Sequence, residues 1–184
     1  MGGSNAKTEY KRRHLSDSPS PPPTRDCLII PLATLGPLGR LPAPGTWGSA
    51  AGLLWWWGVV QGVVAPHGLG HQVAFCLLVV LAAVFICGAA AGLIGRKDPP
   101  EVILDEAACM PLVFLGLRFP PGQQLTWIAV GFILFRFLDI AKPLGIRRIQ
   151  ALPSGLGIVA DDLAAALVAN GVLHVLMTFV GRLL

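Results

Sequence analysis

The sequence predicts an all-α integral membrane protein, a small bundle of about four to five transmembrane or re-entrant helices with a polar N-terminal extension. Three observations predict it. The 184 residues are 54% hydrophobic before 22 glycines are counted, and only 13% are charged, against roughly a quarter charged in an ordinary soluble domain. Eight of the charged side chains crowd into residues 1–26, leaving 16 for the other 158 positions. Finally, uncharged runs long enough to cross a bilayer recur along the rest of the chain. The composition excludes a disordered protein and argues against a soluble enzyme.

The extension is polar and ends near the proline-rich stretch Ser18–Pro23. It reads as a disordered cytoplasmic segment, and no apolar stretch follows its basic residues as in a secretory signal. Two domains follow: the extension, 1–26, and one membrane-embedded unit, 27–184. Residues 27–46 hold Gly36-Pro37, Pro42, Pro44 and Gly45 and are expected to be irregular or re-entrant.

Trp47–Ala65 offers 19 residues without Asp, Glu, Lys or Arg, and His71–Gly95 offers 25. About 20 apolar residues span the hydrocarbon core, so both qualify, with Pro66-His67-Gly68 as a tight turn between them. Val102–Leu117 is shorter and contains Asp105, Glu106 and Pro111, so it reads as a short span or a re-entrant hairpin. Gln123–Ile140 is long enough and carries Arg136 and Asp139 near its end. Ile158–Val180 starts almost at once with Asp161-Asp162. With the N-terminus inside and all five segments crossing, 11 of the 14 basic residues fall in the inside regions 1–46, 96–101 and 141–157. The positive-inside tendency favours that arrangement. The net charge of +4 thus reports orientation, and no basic stripe for nucleic acid exists.

Five of the ten acidic residues sit in or at the edge of apolar segments: Asp105, Glu106, Asp139, Asp161 and Asp162. Each would oppose insertion by about 2.5–3.5 kcal/mol at a helix centre. The five-segment topology instead brings them to one depth, at the cytoplasmic face. Like charges gathered there repel, and a divalent cation relieves the conflict. Oxygen-only ligands suit Mg²⁺, Mn²⁺ or Ca²⁺. Helix-end pairing, as of Arg136 with Asp139, is the plainer explanation for any single acid.

Arg136, Asp139 and Lys142 are spaced by three and share a helical face. A guanidinium fork and an ammonium beside carboxylates suit a phosphate. Gly155-Leu156-Gly157 before the Asp161 helix could let backbone N–H groups approach an anion. Pro44-Gly45-Thr46-Trp47-Gly48-Ser49 sets two hydroxyls at the mouth of the first span, although Thr46 could equally cap that helix. The four cysteines have no metal spacing, and Cys76, Cys87 and Cys109, in apolar surroundings, read as small buried hydrophobes. Trp55-Trp56-Trp57 reads as packing or lipid-facing, and the histidines as uninvolved.

These motifs resemble the phosphatidylglycerophosphatase A family of bacterial membrane lipid phosphatases over roughly residues 31–180. The resemblance rests on Pro44-Gly45-Thr46-Trp47-Gly48-Ser49, on Asp98-Pro99 with Glu101, on Asp105-Glu106, on Phe135-Arg136-Phe137-Leu138-Asp139-Ile140-Ala141-Lys142-Pro143, and on Gly155-Leu156-Gly157-Ile158 with Asp161-Asp162. Cys109, Gly145, Ser154 and Ala166 depart from the family's usual residues at positions that concern packing. The resemblance implies Mg²⁺-dependent removal of the terminal phosphate of the lipid phosphatidylglycerophosphate, giving phosphatidylglycerol, in the bacterial inner membrane with the site facing the cytoplasm. It implies Asp105, Glu106, Asp139, Asp161 and Asp162 as catalytic. Asp105, Glu106, Asp139 and Asp162 would hold the metal, and Arg136, Lys142, Thr46, Ser49 and Gly157 would bind substrate.

No cysteine precedes an arginine at the spacing of a cysteine-dependent phosphatase, and Leu156 stands where a histidine-nucleophile lipid phosphatase would want His. The alternatives are a lipid-headgroup phosphotransferase, whose spaced acidic signature is absent, and an ion-coupled transporter, which would call for acids near mid-bilayer.

Overall fold

The computed structural model describes residues 26–142 and 155–183. Apart from Asp26, the predicted extension lies outside the described residues. So does 143–154, with Arg147 and Arg148. The described residues are helical, with no strand among them.

The stretch predicted to be irregular opens with a helix, α1 (Asp26–Ala33). Pro31 removes one backbone donor, yet α1 holds because it packs on the long helix α3 and the short helix α4. Its last carbonyl, on Ala33, accepts the Ile103 amide at 3.0 Å. A left-handed Gly36 and a 3₁₀ turn (Leu38–Arg40) then lead to α2 (Pro44–Trp55). Proline suits the first helical position because its missing N–H would have no partner there. α2 continues as a π-helix (Trp56–Val64). The expected turn follows as a 3₁₀ segment (Ala65–His67) closed by Gly68, at φ +100°.

α3 (Leu69–Ile94), α5 (Gln124–Ala141) and α6 (Gly155–Leu183) are each long and apolar enough to cross a membrane. At about 1.5 Å per residue, α3 reaches about 39 Å against a hydrocarbon core of about 30 Å. Large apolar side chains project outward from these helices, among them Phe85, Leu125, Ile133, Phe137 and Phe179. In water such a surface would be a liability; against acyl chains it is the matching one. The chain is a membrane protein.

The third predicted segment folds unlike the others. It is α4 (Leu104–Cys109) followed by a 3₁₀ turn (Met110–Phe114), and residues 107–114 are all buried. Together the two pieces rise only about 19 Å, too little for a lipid-facing span. They thread the middle of the bundle instead. The segment starts beside α2's first turns and ends with Gly116, Leu117 and Arg118 next to Gln61, Gly68 and Leu69 at the opposite end. α5 can therefore run back towards the starting end.

Two features let α4 sit so deep. Gly48 and Gly52 on α2 face it without side chains: a Cβ on Gly52 would come within 2.6 Å of Met110 Cβ and 2.8 Å of the Ala107 carbonyl. The Trp55 indole then donates to the Ala107 oxygen at 2.7 Å. Trp56 is buried against Phe114, ring centroids 4.5 Å apart, while Trp57 is exposed. The tryptophan run therefore divides between packing and the outer surface, as expected. At the far end of the segment, Asn170 of α6 donates to the carbonyls of Val113 and Leu115, both at 3.0 Å. This satisfies backbone that a bilayer could not.

Candidate active site

The starts of α2, α4 and α6, the end of α5 and the loop after α3 meet at one end of the bundle. They enclose a cleft of about 260 Å³. All five predicted carboxylates line it, with Arg136 and Lys142. Local sequence explains the placement. Asp105 and Glu106 occupy the first turn of α4, where a helix favours negative charge. Arg136 and Asp139 share the last turns of α5, and Asp161 and Asp162 lie in the second turn of α6.

The acids divide into groups. Asp105, Glu106 and Asp162 each offer an oxygen within 4.8 Å of the others. Asp105 Oδ1 and Glu106 Oε2 are buried without a hydrogen-bond partner among the described residues. This set has the donor chemistry and spacing to hold a hard divalent cation. Asp139, also expected as a ligand, lies beside this set and accepts a bond from Arg136 at 2.7 Å. The same guanidinium stands 3.7 Å from Glu106, and its Nε is buried and unpartnered among the described residues. Lys142 donates to Asp161.

Ser49 is buried behind Arg136. Its hydroxyl donates to the Gly45 carbonyl at 2.9 Å and accepts from Arg136 at 3.4 Å, so it orients the guanidinium and does not line the cleft. Thr46 is exposed within α2 and also lies outside the lining. It is not the cap, because the helix begins at Pro44 and Ala43 precedes it. Gly157 is buried in the first turn of α6 and does not line the cleft either. Its neighbour Gly155 serves packing: a Cβ there would collide with the Val84 carbonyl and stand 2.8 Å from the Gly88 nitrogen. Gly45 is the glycine that shapes the site, since a Cβ would overlap the Glu106 carboxylate and approach Arg136 Nη2 to 3.0 Å.

Among the described residues, two of the three non-glycine residues with positive φ, Ala43 at +53° and Lys142 at +44°, line this cleft. Each precedes a proline, which makes an α-type conformation harder still. Backbone strain of this kind concentrates at functional sites. A further lining residue, Asp98, was quoted in the sequence only as part of a motif. Burial and the charges of Asp161 and Asp139 raise its pKa, against the lowering effect of Lys142 and Lys97.

The sequence profile of phosphatidylglycerophosphatase A matches residues 31–177. The chain is 37% identical to a phosphatidylglycerophosphatase A of Haemophilus influenzae over 131 residues, 70% of this chain and 75% of that one. It is 30% identical to the Escherichia coli protein of the same name over 132 residues, 71% of this chain and 72% of that one. No solved structure matches. With the acidic cleft, the paired basic groups and the helices that hold them in a membrane, these matches establish that the chain belongs to the phosphatidylglycerophosphatase A family of lipid phosphatases.

Proposed function

We propose that the protein is a Mg²⁺-dependent phosphatase that hydrolyses the terminal phosphomonoester of phosphatidylglycerophosphate, yielding phosphatidylglycerol and phosphate. The observation that carries this reading is the meeting of three converging carboxylates with two basic side chains in one cleft at the end of the bundle. The matching relatives carry the corresponding name. Arg40, Arg96, Lys97 and Lys142 lie at the cleft end and Arg118 at the other. This supports a cytoplasmic site in a bacterial inner membrane.

Asp105, Glu106 and Asp162 would hold the cation, which supplies positive charge against the phosphoryl oxygens. Arg136, oriented by Asp139 and Ser49, presents its fork to the phosphoryl group. Lys142, held by Asp161, would present its ammonium to the same group. Asp161 stays buried beside it and would stabilise that ammonium. Phosphoryl transfer depends chiefly on such positioning and charge stabilisation. The acyl chains remain in the leaflet, beside the exposed Phe137 and Ile140 on the outer face of α5.

Purified protein in detergent micelles tests the reading. Phosphate should be released from phosphatidylglycerophosphate with Mg²⁺ and not with chelator. Asp105→Asn, Asp139→Asn and Asp162→Asn should each abolish release. Full activity in all three variants would remove the basis for the site.

A further inference from the structure

We infer that Asp98 is the catalytic residue that accepts the proton of the attacking water. The inference rests on the phosphomonoesterase reading above and adds a residue role to it.

The other five carboxylates of the cleft have roles in the proposed site. Asp105, Glu106 and Asp162 converge on one point, Asp139 accepts from Arg136 and Asp161 from Lys142. Asp98 lines the same cleft and, among the described residues, takes part in no ion pair or hydrogen bond. A carboxylate locked to a cation or an arginine is a poor base, because its charge is already stabilised. Asp98 keeps its oxygen lone pairs available.

Its placement is fixed. Pro99 is almost wholly buried, and a residue before proline has few backbone conformations open to it. The Val102 amide donates to the Pro99 carbonyl at 3.0 Å, and Arg96 pairs with Glu101 across the loop at 2.5 Å. Asp98 is therefore carried on a short loop fastened at both flanks. The residue itself is exposed at the rim, so a proton it takes up can leave to solvent. The charged groups that face it are Asp161, Asp139, Lys142 and Lys97. Partial burial and the charges of Asp161 and Asp139 draw its affinity for protons upwards against the two lysines, the direction that makes a carboxylate a stronger base.

The step balances. A water oxygen forms a bond to phosphorus and loses a proton to Asp98. The bond from phosphorus to the glycerol oxygen breaks, and its electron pair stays on that oxygen, which takes a proton from solvent. Asp98 returns its proton to solvent at the rim. Water and phosphomonoester are consumed; alcohol and phosphate are released.

Asp98→Asn keeps size and polarity and removes the base. Positioned general bases contribute about 10²–10⁴ in rate, so kcat for phosphatidylglycerophosphate should fall at least about 100-fold with KM unchanged. The acid limb of the pH–rate profile should vanish from the residual activity. Mn²⁺ binding, read by electron paramagnetic resonance without substrate, should match the wild type, which also shows that the variant folds. Asp98→Glu should recover part of the rate. A fall below about 100-fold, a loss confined to KM, an unchanged acid limb or lost Mn²⁺ binding would each overturn the role. Wild-type protein that releases no phosphate from the lipid would overturn the phosphatase reading and this inference together. Active wild type with an equally active Asp98→Asn would overturn the inference alone.

Discussion

Lys142, the residue just past the end of α5, donates a hydrogen bond to Asp161 in the second turn of α6. The bond joins the two helices beside the left-handed backbone of Lys142, φ +44°. Lys142→Met would leave the buried Asp161 without this cation. A hydrogen bond to a charged group is worth about 1.5–3 kcal/mol, and a loss of that size is expected in chemical unfolding in micelles.

The same pair fixes a pH dependence. Burial pulls the Lys142 pKa down, but the bond and charge of Asp161, with Asp139 and Asp162, outweigh it and the net shift is upward. A raised lysine stabilises the fold fully below its unfolded value of about 10.4 and loses that contribution as pH rises through the folded value. The stability gap between wild type and Lys142→Met should therefore stay constant from pH 7 to 9 and close only above about pH 10.4, as followed by denaturant titration at each pH.

Cation binding should register as stability independently of turnover. At a hundredfold excess over Kd, a ligand bound only by the folded state adds about 2.7 kcal/mol. Mg²⁺ should raise the melting temperature of chelator-treated wild type and leave Asp162→Asn unmoved. In chelator, Asp162→Asn should melt no lower than wild type, because the substitution removes one of three crowded like charges. Differential scanning fluorimetry reads both effects.

The α2 glycines separate packing from chemistry. Gly52→Ala drives a methyl into Met110 and the Ala107 carbonyl, and overpacking of this kind destabilises by about 1–3 kcal/mol. Gly45→Ala intrudes between Glu106 and Arg136 and should reduce activity more than stability. Gly171→Ala meets nothing within 4 Å and should leave both unchanged. Parallel melting and phosphate-release measurements distinguish the three.

Asn170→Leu keeps the side chain's volume and deletes two hydrogen bonds, to Val113 and Leu115. At about 0.5–1.5 kcal/mol net each, the variant should lose roughly 1–3 kcal/mol. Hydrogen exchange should rise first around 110–117.

The cleft was legible in the sequence because ionisable groups are rare in apolar helices. Topology then places Asp105, Asp139 and Asp162 at one end without reference to any contact. What was not legible depended on contacts. α1 exists through packing on α3 and α4, which no local pattern announces around Pro31. Thr46 and Ser49 look equivalent in sequence, three apart, but only Ser49 faces Arg136. Gly155 and Gly157 look like an anion loop, while Gly155 is excluded from that role by the α3 backbone lying against it. Asp98 was visible beside Pro99, yet a carboxylate in a polar loop carries no insertion penalty and so drew no attention by itself.

The burial of α4 bears on how the protein is made. A segment of this length, bearing two acids and a proline, has too little apolar content to be recognised as a span by itself. Its place inside the bundle depends on the bare glycine face of α2 and on the Trp55 indole. A lesion in α2 far from Arg136 should therefore disturb how Asp105 and Glu106 reach the cleft.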